Sequence, residues 1–72
     1  MTVKLFASLR NGRFKEKQWE YVPGMSISRI LEELKIDSKD VGILLVNSRH
    51  AEPDYQLQEG DTLAIFPLIG GG

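Results

Sequence analysis

Met25-Ser26-Ile27-Ser28-Arg29-Ile30-Leu31-Glu32-Glu33-Leu34-Lys35 is the segment that decides the fold of this 72-residue chain. Ile27, Ile30, Leu31 and Leu34 stand at i, i+3, i+4 and i+7, which gathers them on one helical face, while Arg29, Glu32, Glu33 and Lys35 fall on the face turned to water. Ser26 is placed to cap the first turn, and Met25 and Ile30 have the spacing of a hydrophobic staple. The pattern predicts one amphipathic helix over residues 27–35, whose apolar stripe something else must cover.

Candidate strands lie on both sides of it. Val3, Leu5 and Ala7 alternate with Thr2, Lys4 and Phe6, and Gln18-Trp19-Glu20-Tyr21-Val22 alternates in the same way. The polar loop Arg10-Asn11-Gly12-Arg13 between them makes the pair an antiparallel hairpin, which Pro23-Gly24 ends. Beyond the helix, Asp37-Ser38-Lys39-Asp40 is turn chemistry, and Ile43-Leu44-Leu45-Val46 is an apolar run short enough for an interior strand covered at least partly on both faces. Asn47-Ser48 reads as a turn and His50-Ala51-Glu52 as a short edge strand. An irregular crossing bracketed by Pro53-Asp54 and Glu59-Gly60-Asp61 leads to a last strand from Thr62 to Leu68. The order strand, strand, helix, strand, short strand, strand predicts an α+β domain over residues 1–69, with the helix on one face of a mixed sheet and residues 70–72 as a glycine tail.

Composition narrows the function. A chain of this length folds as one small domain that buries roughly 60% of its unfolded surface, which leaves little interior for an enclosed active site. There is no cysteine and one histidine, so thiolate metal sites, catalytic thiols and disulfides are excluded, and no carboxylates show calcium-loop spacing; no metal site is expected. A serine triad would have to recruit His50, but no serine sits in a Gly-x-Ser-x-Gly elbow, and His50 reads as an exposed or turn-capping residue. The net charge of −1 argues against a dedicated nucleic-acid binder. Residues 1–36 carry seven Lys or Arg against four Glu, and residues 37–72 two against six acids, so a basic and an acidic pole are expected. No stretch approaches the ~20 apolar residues of a membrane span, and the N-terminus has no signal-peptide core, so the chain reads as cytoplasmic.

Two surface features remain. Arg10, Arg13, Lys15 and Lys17, mixed with Phe14 and Trp19, either meet an acidic partner or form a solvated loop whose aromatics turn inward, and the second reading is favoured. The last strand puts Leu63 and Ile65 on one face and Ala64, Phe66 and Leu68 on the other, although one helix covers only one face. Phe66 and Leu68 therefore either form a docking patch or pack under the crossing around Tyr55 and Leu57.

The end of the chain, Phe66-Pro67-Leu68-Ile69-Gly70-Gly71-Gly72, is the most informative stretch for function. Three glycines after a strand add nothing to the core and carry the highest backbone entropy of any residue. No helix follows to make them a phosphate loop. They supply a carboxylate on a thread without side chains, which fits a channel that any Cβ would block. Extended at ~3.3 Å per residue, residues 69–72 reach roughly 13 Å beyond the fold.

Val46-Asn47-x-Arg49, then Leu57-x-x-Gly60-Asp61-x-Leu63-Ala64-Ile65-Phe66-Pro67, and the closing Gly71-Gly72 resemble the MoaD/ThiS family of ubiquitin-like sulfur carriers, and Phe-Pro before the tail is more similar to the MoaD branch, the small subunit of molybdopterin synthase. The resemblance implies a β-grasp fold and a carrier rather than an enzyme. It implies that an E1-like, ThiF-like enzyme adenylates Gly72, that a sulfur donor converts the acyl-adenylate to a thiocarboxylate, and that a molybdopterin synthase large subunit or another sulfur-accepting enzyme receives the sulfur. ATP and its metal would belong to the activating partner, with no cofactor intrinsic to this chain. Carried over by position, Gly72 bears the sulfur, Gly70 and Gly71 thread the channel, and Phe66, Pro67, Leu68 and Ile69 anchor the domain, with His50 at a partner-facing position.

The chain departs from the family pattern in three places. Gly70 replaces a side chain and loosens the thread. Ser48 stands where Asn-Gly is common, so a type I′ turn would force Ser48 to φ > 0. His50 stands where the MoaD branch often has an apolar residue. A thiamin-pathway carrier, a modifier conjugated to lysines and a binding module without terminal chemistry are the alternatives at this stage.

Overall fold

In the computed structural model, which describes residues 1–68, five strands and one helix form an α+β domain. The strands are β1 (Thr2–Leu5), β2 (Glu16–Gln18), β3 (Val41–Val46), β4 (Arg49–His50) and β5 (Thr62–Pro67), and the helix α1 (Ile27–Leu34) lies between β2 and β3. The sheet order is β2-β1-β5-β3-β4. β1 and β5 run parallel at its centre, and the other neighbouring pairs are antiparallel. The first and last strands are therefore hydrogen-bonded neighbours, Thr2 beside Thr62 and Leu5 beside Ile65.

The helix forms as its sequence requires. Ser26 Oγ accepts the Arg29 N–H at 3.3 Å, and Met25, Ile27, Ile30 and Leu31 are all buried. The helix stops at Leu34, one residue earlier than expected, because Lys35 takes the left-handed conformation at φ 60°. Lys35 N–H then donates to the Glu32 carbonyl and Ile36 N–H to the Leu31 carbonyl, the reciprocal pair that satisfies a helix C-terminus. Ile36 is thereby folded back into the core.

The helix covers one face of the sheet. Val3, Leu5, Leu63 and Ile65 are fully buried against it, and Leu44 and Val46 are nearly so. Leu9 and Leu57 join this core.

Several expectations need correction. The second strand is not residues 18–22 but Glu16–Gln18, and all three of its residues are exposed. Its register puts Gln18 beside Thr2, and Trp19 N–H makes a last bond to the Met1 carbonyl, so no residue of β1 stands beside residues 20–22. Trp19 and Tyr21 leave the sheet edge and pack on the core instead. Ala7 does not extend β1: at φ 51° it turns the chain into a short 3₁₀ helix, Ala7–Arg10, which drops Leu9 inward and leaves Ala7 exposed. β3 is buried on the helix side and, within the expected partial cover, only thinly covered on the other, where Leu45 is half-buried and Ile43 is 44% exposed. β4 is Arg49–His50, which leaves Ala51 and Glu52 outside the edge strand.

Candidate functional site

The residues shared with the sulfur-carrier motif fall into two places. Asn47, Gly60 and Asp61 meet at one end of the sheet. Asn47 Nδ2 donates to Asp61 Oδ1 at 2.9 Å, and Thr62 N–H donates to Asn47 Oδ1 at 3.0 Å. Gln58 N–H donates to the second Asp61 oxygen at 2.8 Å, and Gly60 turns between them at φ +87°. All of these bonds stay within the protein, so this part of the motif builds the entry to β5 and leaves no free group for chemistry.

The second place is the sheet face opposite the helix. Residues that stand opposite one another across paired strands share a face, and the register places Lys4, Ala64, Leu45 and His50 in one row, with Phe66 and Ile43 in the next. Phe66 stacks on Phe6 with ring centroids 4.2 Å apart and planes 10° from parallel, and the Arg10 guanidinium lies 5.4 Å from the Phe6 centroid. Phe6, Phe66, Leu45, Ala64 and Lys4 line an open depression of about 430 Å³. Leu68 follows, 63% exposed. Leu57 lies in the core on the other side of the sheet, with its N–H bonded to the Met25 carbonyl, so Phe66 does not pack beneath it.

Of the expected anchoring residues, the structure places Phe66 on this face, with Pro67 and Leu68 following at the end of β5, and puts His50 on the same face at the sheet edge, exposed as expected. Ile69, Gly70, Gly71 and Gly72 lie outside the described residues, as does the expected boundary between domain and tail. Phe6, Ile43 and Leu45 also belong to the face and were missed. Their signal was present, because Ile43 and Leu45 alternate with Leu44 and Val46 as Phe66 and Ala64 alternate with Ile65 and Leu63.

The basic loop has structural work. Arg10 Nε donates to the Leu5 carbonyl at 2.7 Å, and Arg13 donates to the carbonyls of Leu9, Leu34 and Lys35. Lys17 Nζ lies over the rings of Phe14 and Trp19, both of which pack on the core. Among the described residues no group of three or more His, Asp or Glu side chains could hold a metal ion, and no helix is long and apolar enough to cross a membrane.

At the end of β5, Leu68 N–H donates to the Asp40 carbonyl at 2.9 Å. The glycine run begins two residues later, at Gly70. An apolar face thus stands directly before the tail.

A family model described as the ThiS family matches residues 3–72. The chain belongs to that family. ThiS-family proteins are small carriers rather than catalysts, and they work with E1-like enzymes and sulfur-accepting partners. No curated protein matches the chain. Among solved structures, it is similar to a protein from Pyrococcus furiosus provisionally described as molybdopterin converting factor, subunit 1, at 27% identity and a TM-score of 0.75, covering 94% of this chain and 95% of that one. It also matches SAMP1 from Haloferax volcanii at 24% identity and a TM-score of 0.73, covering 99% of this chain and 97% of that one. These neighbours identify the ThiS-family fold seen here as the ubiquitin-like β-grasp.

Proposed function

We propose that this chain carries sulfur on the C-terminal carboxylate of Gly72 and delivers it in molybdopterin synthesis. The observation that carries the reading is the placement of the Phe6–Phe66 face beside the root of the tail. Docking on that face brings the terminus within reach of a partner's active site, roughly 13 Å from Leu68 when extended at ~3.3 Å per residue. Ordering the tail costs about 1–2 kcal/mol per residue, which contacts made by Phe66, Pro67, Leu68, Ile69 and His50 offset.

The chemistry follows from the weakness of a carboxylate as an electrophile. A Gly72 oxygen attacks the α-phosphorus of ATP held with its metal on an E1-like enzyme, and pyrophosphate leaves. A hydrosulfide-equivalent donor then attacks the carbonyl carbon of the mixed anhydride, the C–O bond to AMP breaks, and a thiocarboxylate remains. Gly70 and Gly71 present no Cβ to the channel. ATP and the activating enzyme set the compartment as the cytoplasm. The molybdopterin acceptor is supported by the name of the Pyrococcus furiosus neighbour.

The test is the intact mass of the protein after incubation with an E1-like enzyme, ATP and a sulfur source. Replacement of one oxygen by sulfur, confined to the terminal peptide, is expected, and a residue added after Gly72 should abolish it. An unchanged mass with every such enzyme sinks the reading. The family description favours a second acceptor, the thiazole of the thiamin pathway. Binding to a thiazole synthase rather than to a molybdopterin synthase large subunit would decide for it.

A further inference from the structure

Gly42 sits within β3 where the pairing with β5 slips by one residue: Ile43 is opposite Phe66, but Val41 is opposite Pro67. The extra residue lets the two backbones approach more closely than a side chain permits. A Cβ built on Gly42 would lie 2.6 Å from the Pro67 carbonyl oxygen, 3.0 Å from its carbon and 3.1 Å from the Leu68 Cα. All three are main-chain atoms, so no side chain can swing away, and relief requires the end of β5 to move by about 1 Å toward ordinary contact distance.

The same end of β5 is tied by a bond from Leu68 N–H to the Asp40 carbonyl at 2.9 Å. Asp40 is itself fixed in the 3₁₀ turn Ser38–Asp40, capped by Asp37 Oδ1 at 3.2 Å from Lys39 N and by Asp40 N–H on the Asp37 carbonyl at 2.9 Å. Phe66, by contrast, is held by the Phe6 stack and its pairing with Ile43, one residue before the crowded point.

We propose that Gly42 and the Leu68–Asp40 bond together set where the tail leaves the sheet, making Gly42 a positioning residue for the reacting terminus. The inference rests on the carrier reading given above. A side chain at Gly42 displaces Pro67 and Leu68 while Phe66 stays in place, so the domain still docks through Phe66 with the Pro67 and Leu68 contacts weakened, and the carboxylate is delivered from a shifted root. Binding and turnover therefore separate.

The experiment compares the wild-type chain, Gly42→Ala, and a synthetic chain in which the Pro67–Leu68 amide is replaced by an ester. The ester removes only the Leu68 N–H and leaves β3 and every side chain intact, so it tests the pin even if Gly42→Ala folds poorly. Three quantities are read well below the melting temperature: amide exchange at Leu68 in the Gly42→Ala protein, affinity for an E1-like enzyme, and the rate of adenylation of the bound carrier. Expected are faster exchange at Leu68, some loss of affinity through the displaced anchors Pro67 and Leu68, and a fall in the rate of the bound carrier of roughly tenfold or more in both variants, the scale on which misplacement near 1 Å acts. A loss of stability alone would reduce the active fraction without changing the rate of bound carrier. Wild-type rates in both variants overturn this inference and leave the carrier function standing. A wild-type chain that no adenylating enzyme activates overturns both.

Discussion

Asn47 and Asp61 interlock the β3–β4 turn with the entry to β5. Asn47 uses both ends of its amide, donating to Asp61 Oδ1 at 2.9 Å and accepting the Thr62 N–H at 3.0 Å, while Gln58 N–H holds the second carboxylate oxygen at 2.8 Å. Asp61 is the buried charged residue of the domain, 7% exposed, and its partners are an amide and a main-chain N–H. The pair fixes the register of the two strands that carry Ile43, Leu45, Ala64 and Phe66.

That geometry makes Asp61→Asn costly although it is nearly isosteric. An asparagine at 61 presents one NH₂ to a site where both neighbours donate. Flipping Asn47 to compensate would turn its own NH₂ toward the Thr62 N–H. One buried bond is lost in either case, which costs about 2 kcal/mol. A fall in the urea midpoint with an unchanged denaturant slope is expected; equal stability would show that the network adapts.

Ser48 gives the opposite prediction. Asn47 and Ser48 have φ of 51° and 69°, the signature of a type I′ turn. Asn47 tolerates that conformation and its side chain is engaged, whereas Ser48 is exposed and strained by its Cβ. Ser48→Gly should stabilise the domain by about 0.5–1 kcal/mol, seen as a melting temperature several degrees higher. A lower melting temperature would mean the unfolded-state entropy of glycine dominates here.

The elements legible in the sequence were those whose signals are local. The Ser26 cap, the Ile27, Ile30, Leu31 and Leu34 stripe and the positive φ at Ser48 all follow from contacts within a few residues. The register of β1 with β2, which sets Gln18 beside Thr2 and leaves residues 20–22 without a partner strand, has no local signal, and neither does the parallel pairing of β1 with β5. The sheet face opposite the helix was half legible for the same reason. Phe66 stood out beside the tail, but Phe6 looked like one more outward residue until β1 and β5 became neighbours. Gly42 was invisible, because a close approach of two backbones leaves no pattern along either one.

Arg13 should matter for stability although it lies in a surface loop. Its guanidinium donates to the carbonyls of Leu9, Leu34 and Lys35, bridging the 3₁₀ turn and the C-terminus of α1, where the helix dipole favours a cation. The group is exposed, so the contribution is discounted to about 1 kcal/mol, and Arg13→Ala should lower the melting temperature by roughly 4–8 °C. Arg13→Lys keeps the charge but cannot fork to three carbonyls, so it should recover less than half of the loss. Full recovery would make the effect one of charge alone.

The stacked pair Phe6 and Phe66 offers the clearest separation of folding from docking. Both rings are half-buried on a face the helix does not reach, so truncating either removes part of its apolar area from the fold, a loss of about 1–2 kcal/mol that leaves the core of Val3, Leu5, Leu63 and Ile65 intact. If the face docks on the activating enzyme, Phe66→Ala should weaken that complex by about 2 kcal/mol, roughly 30-fold, because aromatic anchors carry a disproportionate share of binding energy. Phe6→Ala should weaken it less, since Phe6 acts partly by holding Phe66 flat. In a double-mutant cycle the two changes should then be non-additive by about 0.5–1.5 kcal/mol, the coupling of one aromatic pair. Titration calorimetry on the folded variants measures all three. Phe66→Ala binding as tightly as wild type would remove this face from the complex and leave the tail alone to account for recognition.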